Sequence, residues 1–139
     1  MMGAAAEIRD IARRLIACEA ARAGRPFATP ADAARACDRL RGTISRLAGV
    51  RGFHSLLSRA LSLAKADSPA LADATVRADG ALEGLESLRS GDGAGVEVVT
   101  QLLALLATLI GGPLTLRLVQ DTWPETPASD ADAEDGVHR

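Results

Sequence analysis

Apolar residues recur along most of this chain at the three- and four-residue spacings of amphipathic helices. The first such stripe predicts a helix over about 4–23, and Gly24 with Pro26 just beyond is a typical helix end. The apolar positions of this helix are Ile8, Ile11, Leu15 and Cys18. Phe27, in the loop that follows, is expected to fold back onto the helices.

Two further stripes follow, and Gly49 separates them. Thr29, Pro30 and Asp32 form a helix start, with Thr as the N-cap, Pro in the first helical position and Asp in the first turn. The stripes predict one helix over 30–48 and another over about 52–66. Their apolar positions are Ala33, Cys37, Leu40, Ile44 and Leu47 in the first, and Phe53, Leu56, Leu57, Ala60, Leu61 and Ala64 in the second.

One stretch does not have a helical pattern. Asp79 and Gly80 lie between short alternating segments, which is typical of a hairpin with a type I′ turn. We therefore predict a short β-hairpin over 75–83, with a plain turn as the alternative. An isolated hairpin is marginally stable in water, so Val76 and Leu82 should pack it against the helices.

The most apolar stretch of the chain is 96–119. Its uninterrupted apolar run covers 98–110, which is shorter than the roughly 20 residues of a membrane span. We therefore interpret about 95–121 as a central core helix, kinked near Pro113. Two helices that meet at Pro113, membrane association through 96–119, and an oligomer seam are the alternatives.

These elements predict an all-α fold, a small four- to five-helix bundle around the central apolar helix. Hydrophobic residues make up 47% of the chain and Tyr is absent, so the core should consist mainly of the strong helix formers Ala and Leu. Residues 1–124 are expected to form this single helical domain. Residues 125–139 are acidic and rich in Ala, Asp and Pro, and we predict that they are disordered.

The net charge of −2 conceals an uneven distribution. Residues 121–139 contain six acids and one base, so the preceding residues have twelve acids, fifteen bases and a net charge of +3. Arg35, Arg39 and Arg46 are expected on roughly one helix face, where they form a candidate interaction surface for an acidic partner or for the acidic tail. Masking of basic residues by the tail is our hypothesis.

The segment 44–66 resembles the helix-turn-helix of bacterial repressors, with Ala48-Gly49-Val50 ahead of a second helix. That resemblance implies a DNA-binding transcriptional regulator. The chain departs from the pattern because Ser55 and Ser58 occupy positions at which the motif has apolar residues.

The sequence contains no recognisable catalytic or ligand-binding motif. Cys18 and Cys37 have no Cys or His close by in the sequence, and the two histidines, His54 and His138, are far apart. We expect no enzyme activity, no cofactor and no metal site. A signal peptide is not apparent, which favours the cytoplasm, and the fifteen Arg against one Lys suggest a bacterial genome rich in G and C.

The function that we expect is therefore a non-catalytic protein-interaction or regulatory, adaptor-like module that associates with itself or with a protein partner. A DNA-binding regulator that uses 44–66 is the second interpretation, and a membrane-associated protein is the third.

Overall fold

The computed structural model of the protein describes residues 3–85 and 93–124, together with the side chains of all of these except 3–6. The described residues form four α-helices, one 3-10 turn and one two-stranded antiparallel sheet, which confirms the predicted all-α bundle with a short hairpin. The elements are α1 Gly3–Arg22, α2 Pro30–Asp67, the 3-10 turn Pro69–Leu71, β1 Thr75–Val76, β2 Leu82–Glu83, α3 Ala94–Ile110 and α4 Gly112–Thr122. The predicted tail over 125–139 lies outside the described residues.

The beginning of α2 follows from its sequence. Thr29 is the N-cap, Pro30 occupies the first turn, and the carboxylate of Asp32 accepts a hydrogen bond of 2.8 Å from the backbone N–H of Thr29. This arrangement satisfies one of the amides that a helix start leaves without a partner. The predicted helix start is therefore confirmed.

A single residue interrupts α2. Gly49 has φ 81° and ψ 166°, whereas helical geometry holds on both sides of it. Only glycine adopts such angles without strain, which explains why the two predicted helices meet here. Leu47 was expected to continue the buried stripe, but it is 68% exposed because the helix changes direction two residues later.

The hairpin packs on α2, as predicted, through the half-buried Val76 and Leu82. Its turn differs from the predicted type I′. A type I′ turn needs positive φ at both central residues, and no described residue other than glycine has positive φ. The amide of Gly80 instead donates to the carbonyl of Arg77, and the amide of Arg77 donates to the carbonyl of Ala81. These bonds and the φ of 89° at Gly80 define a three-residue loop with a bulge at the glycine.

The apolar stretch 96–119 forms two helices rather than one kinked helix. Gly111 has φ 92° and ψ 154°, and it ends α3 two residues before Pro113. Pro113 lies in the first turn of α4, where its missing N–H removes no intrahelical hydrogen bond. The break is therefore caused by glycine, and proline is compatible with the helix start that follows.

Helix α3 is the centre of the bundle, as predicted, and it packs against α1, α2 and α4. It approaches α2 closely at Gly95, where an added Cβ would lie 2.8 Å from the Cβ of Ala33. The fully buried Trp123 covers the core directly after α4, whereas Phe27 is 65% exposed and does not fold back as expected. In the part of the chain that the structure describes, no helix is both long and apolar enough to cross a membrane.

Candidate functional site

Arg35 and Arg39, two of the three candidate interaction residues, line one groove. The groove has a volume of about 530 Å³ and lies between the end of α1, the first half of α2 and the hairpin. Its lining residues are Glu19, Ala34, Arg35, Asp38, Arg39, Ala81 and Leu82. Both charged and apolar side chains line its walls, so the groove is amphipathic.

Arg39 is hydrogen-bonded to a buried carboxylate. Glu19 is only 2% exposed, and its Oε2 accepts a hydrogen bond of 2.5 Å from Nε of Arg39. The same oxygen accepts a bond of 2.8 Å from Nε1 of Trp123. A buried carboxylate without such donors would destabilise the fold. Arg39 therefore joins α1, α2 and the end of α4, and much of its hydrogen-bonding capacity is used within the chain.

Arg35 contacts a second buried carboxylate. Asp32 is completely buried and accepts hydrogen bonds from Arg35 at 2.8 Å and from both terminal nitrogens of Arg25 at 2.5 and 2.6 Å. Burial alone would raise the pKa of Asp32, but the hydrogen bonds from Arg25 and Thr29 outweigh it and lower that pKa to about 2. The carboxylate is therefore ionised at neutral pH and holds the loop after α1 against α2.

Arg46 lies apart from the other two candidate arginines. It is exposed, two helical turns beyond Arg39, and no ion pair or hydrogen bond joins its side chain to another part of the chain that the structure describes. The predicted common surface therefore divides into two paired arginines beside the groove and one unpaired arginine near the Gly49 break.

A third buried carboxylate, Glu97 in the first turn of α3, has the same kind of environment. It accepts hydrogen bonds of 2.7 Å from Arg9 and 2.9 Å from Gln101. Burial acts to raise its pKa, and these two bonds more than compensate, so the pKa is lowered. Sequence patterns indicated none of the three buried carboxylates as buried. Asp32 alone had a visible signal, its position in the first turn after Thr29 and Pro30.

The second half of α2, over 50–67, carries basic and hydroxyl side chains along one side. Its buried side is formed by apolar residues such as Phe53 and Leu57. The opposite side covers about a third of the circumference at 3.6 residues per turn. We call it the basic face, and it consists of Arg51, Ser55, Ser58, Arg59, Ser62 and Lys65. An open cleft of about 210 Å³ lies between this face and β1, and Ser58, Ser62 and Lys65 border it.

The Gly49 break does not have the form of a helix-turn-helix. The turn of that motif spans three or four residues, whereas Gly49 alone departs from helical angles in α2. The basic face lies entirely after this kink, on one helical segment, and the resemblance to repressors does not extend to the local geometry at Gly49.

Exposed apolar side chains flank both glycine breaks. Leu47 and Val50, beside Gly49, are 68% and 58% exposed, and Leu109 and Leu114, beside Gly111, are 66% and 54% exposed. Every large hydrophobic side chain with this degree of exposure in the described ranges belongs to this set, apart from Phe27 in the loop after α1.

The Cys37 thiol is not activated as a nucleophile. Cys37 is buried in the core, and burial raises the pKa of its thiol to about 12, so that the reactive thiolate is absent at neutral pH. Among residues 3–85 and 93–124, no three His, Cys, Asp or Glu side chains are grouped so that they could hold a metal ion.

Known proteins offer no guide to this arrangement. Comparisons of the chain with protein-family models, with curated proteins and with solved structures found no match.

Proposed function

We propose that the protein is a non-catalytic interaction module that self-associates through the surface around its two helix breaks. The observation that carries this proposal is the exposure of four apolar side chains at two helix breaks: Leu47 and Val50, one on each side of Gly49, and Leu109 and Leu114, one on each side of Gly111. Single exposed leucines are normal on protein surfaces. Four such side chains at two similar backbone breaks support a contact surface, because every other large aliphatic side chain that the structure describes is buried or half-buried.

One residue of each pair, Leu47 and Leu114, is close enough to the other to share one interface. The hydroxyl oxygens of Thr43 and Thr122 lie 3.3 Å apart and fix α4 against α2. Leu47 is four residues from Thr43, and Leu114 is eight residues from Thr122, so helical rise places the two leucines within roughly 25 Å of each other. A standard interface buries about 800 Å² on each partner and is therefore about 30 Å across.

A cytoplasmic location and a regulatory, adaptor-like role belong to the same proposal. Cys18 and Cys37 are free thiols, and free thiols are compatible with a reducing compartment.

Light scattering coupled to size-exclusion chromatography tests the proposal directly. We expect a dimer or larger assembly at micromolar concentration, and a shift towards the monomer in a Leu47→Ser, Val50→Ser, Leu114→Ser variant. Phe27→Ser is the matched control, because Phe27 is as exposed but lies far from both breaks in the sequence. A monomeric wild-type protein at millimolar concentration, or equal dissociation by the control, would disprove self-association through this surface.

A further inference from the structure

The basic face carries positive charge that the neighbouring residues do not neutralise. From Arg39 to Ala66 the chain has 28 residues and no Asp or Glu. Within the described ranges, neither Arg51 nor Arg59 has an ion-pair partner. The hairpin beside this face has acids, but Arg77 of the same hairpin pairs with Glu83 at 3.3 Å and with Asp79 at 3.9 Å.

This pattern contrasts with the first half of α2. There, Arg35 and Arg39 serve buried carboxylates, and Arg41 pairs with Asp38 at 2.6 Å. The arginines that stabilise the bundle are thus paired, whereas those of the basic face are available to an external anion.

From these observations we infer that the basic face binds the phosphate backbone of a nucleic acid duplex. Arg51 and Arg59 are eight residues apart, which is about 12 Å along a helix, and this is also the approximate width of the major groove of DNA. Two guanidinium groups at this separation reach phosphates on the two edges of one groove. Ser55 and Ser62 lie between and beside them and supply neutral donors for phosphate oxygens.

A membrane surface fits this helix less well. Helices that bind anionic lipid insert an apolar face into the bilayer beside their basic face. The apolar side of 50–67 is closed against the core, since Phe53, Leu57 and Ala60 are completely buried.

Single-stranded nucleic acid also fits less well than a duplex. Proteins that bind single strands stack the bases on exposed aromatic side chains. Phe53 and Trp123 are fully buried, and the only other aromatic residue, Phe27, lies in the loop between α1 and α2. The basic face offers charge and small hydroxyl donors alone, so we expect contact with the backbone and little preference for base sequence.

Fluorescence anisotropy of a labelled 30-base-pair duplex of random sequence, titrated with the full-length protein at several salt concentrations, tests the inference. We expect binding at 50 mM salt that weakens linearly in a plot of log Kd against log salt. In an Arg51→Gln, Arg59→Gln variant the slope should fall by about 2, which corresponds to a loss of on the order of a hundredfold in affinity at 50 mM salt.

Arg13→Gln, Arg117→Gln is the matched control, because it removes the same charge from two exposed arginines outside the basic face. Circular dichroism of each variant checks that the fold is retained. Absence of binding at 50 mM salt, or an equal loss in the control, would overturn the inference. Tighter binding to phosphatidylserine vesicles or to polyglutamate than to the duplex would also overturn it. Binding of the duplex does not require self-association, which light scattering measures separately.

Discussion

The indole N–H of Trp123 donates a hydrogen bond of 2.8 Å to the buried carboxylate of Glu19, a residue 104 positions earlier in the chain. Trp123 is completely buried and directly follows α4. The bond therefore fixes the end of the described domain to the end of α1, at the point where Arg39 also reaches the same oxygen.

Trp123→Phe should destabilise the protein through this bond. Phenylalanine keeps most of the apolar surface but removes a donor from a buried charged acceptor, which costs about 1–3 kcal/mol. Urea denaturation followed by circular dichroism measures the free energy of unfolding. A double-mutant cycle with Glu19→Ala isolates the interaction, and an equal cost of Trp123→Phe with and without Glu19 would show that the bond contributes nothing.

Asp32 should make stability depend on pH in the acid range. Its pKa is about 2 in the folded protein and about 3.8 when exposed, so it contributes stability above pH 3.8 that is lost as the pH falls towards 2. The shift corresponds to about 2 kcal/mol.

Denaturation between pH 2 and pH 6 measures this contribution. In an Asp32→Asn variant, the free energy of unfolding should change with pH by about 2 kcal/mol less than in the wild type. Asp10→Asn is the control, because Asp10 is an exposed carboxylate paired with Arg14 on the surface of α1. If both variants kept the full pH dependence of the wild type, the hydrogen-bonded Asp32 would not be its source.

Gly95→Ala should separate α3 from α2. The new methyl group would lie 2.8 Å from the Cβ of Ala33, a contact that forces a shift of the backbone and costs about 1–3 kcal/mol. Thermal unfolding measures the loss, and Ala33→Gly in the same chain should restore part of it by removing the opposing methyl group.

Gly42→Ala provides the contrast. Gly42 is exposed within α2 and has no atom within 4 Å of an added Cβ, so alanine should stabilise the helix by about 0.5–1 kcal/mol. If Gly95→Ala were stabilising as well, the close approach of the two helices would not be a constraint.

The sequence predicted those parts of the structure that depend on local pattern. A helix forms where an apolar stripe can be buried. Gly24 and Gly49 mark helix ends because their positive φ angles favour glycine. The predicted type I′ turn at Asp79-Gly80 is wrong because a glycine also suits the bulge position of a three-residue loop, and the dipeptide alone does not distinguish the two loops.

Long-range pairing could not be predicted in this way. Nothing in the spacing of Glu19, Arg39 and Trp123 shows that they meet, because their contact depends on how the finished helices pack. Helix packing also decides which arginines are paired with a buried carboxylate and which are not. Arg35 and Arg46 look equivalent in a helical projection, but only Arg35 lies beside a buried carboxylate.

The acidic tail should compete with nucleic acid for the basic residues. Residues 125–139 contain five acids and one arginine, a net charge of −4, and they begin two residues after the anchored Trp123. We expect that changing the five acids to Asn and Gln in the full-length chain tightens binding to duplex DNA by about tenfold, the equivalent of one or two surface ion pairs. The salt dependence should also become steeper, because more arginines then exchange counterions with phosphate.

Anisotropy titrations of the wild-type and neutralised chains, with Arg51→Gln, Arg59→Gln added to each, test the competition. Neutralisation should have much less effect once these two arginines are absent. An equal gain with and without them would show that the tail acts through its overall charge and not by masking the basic face.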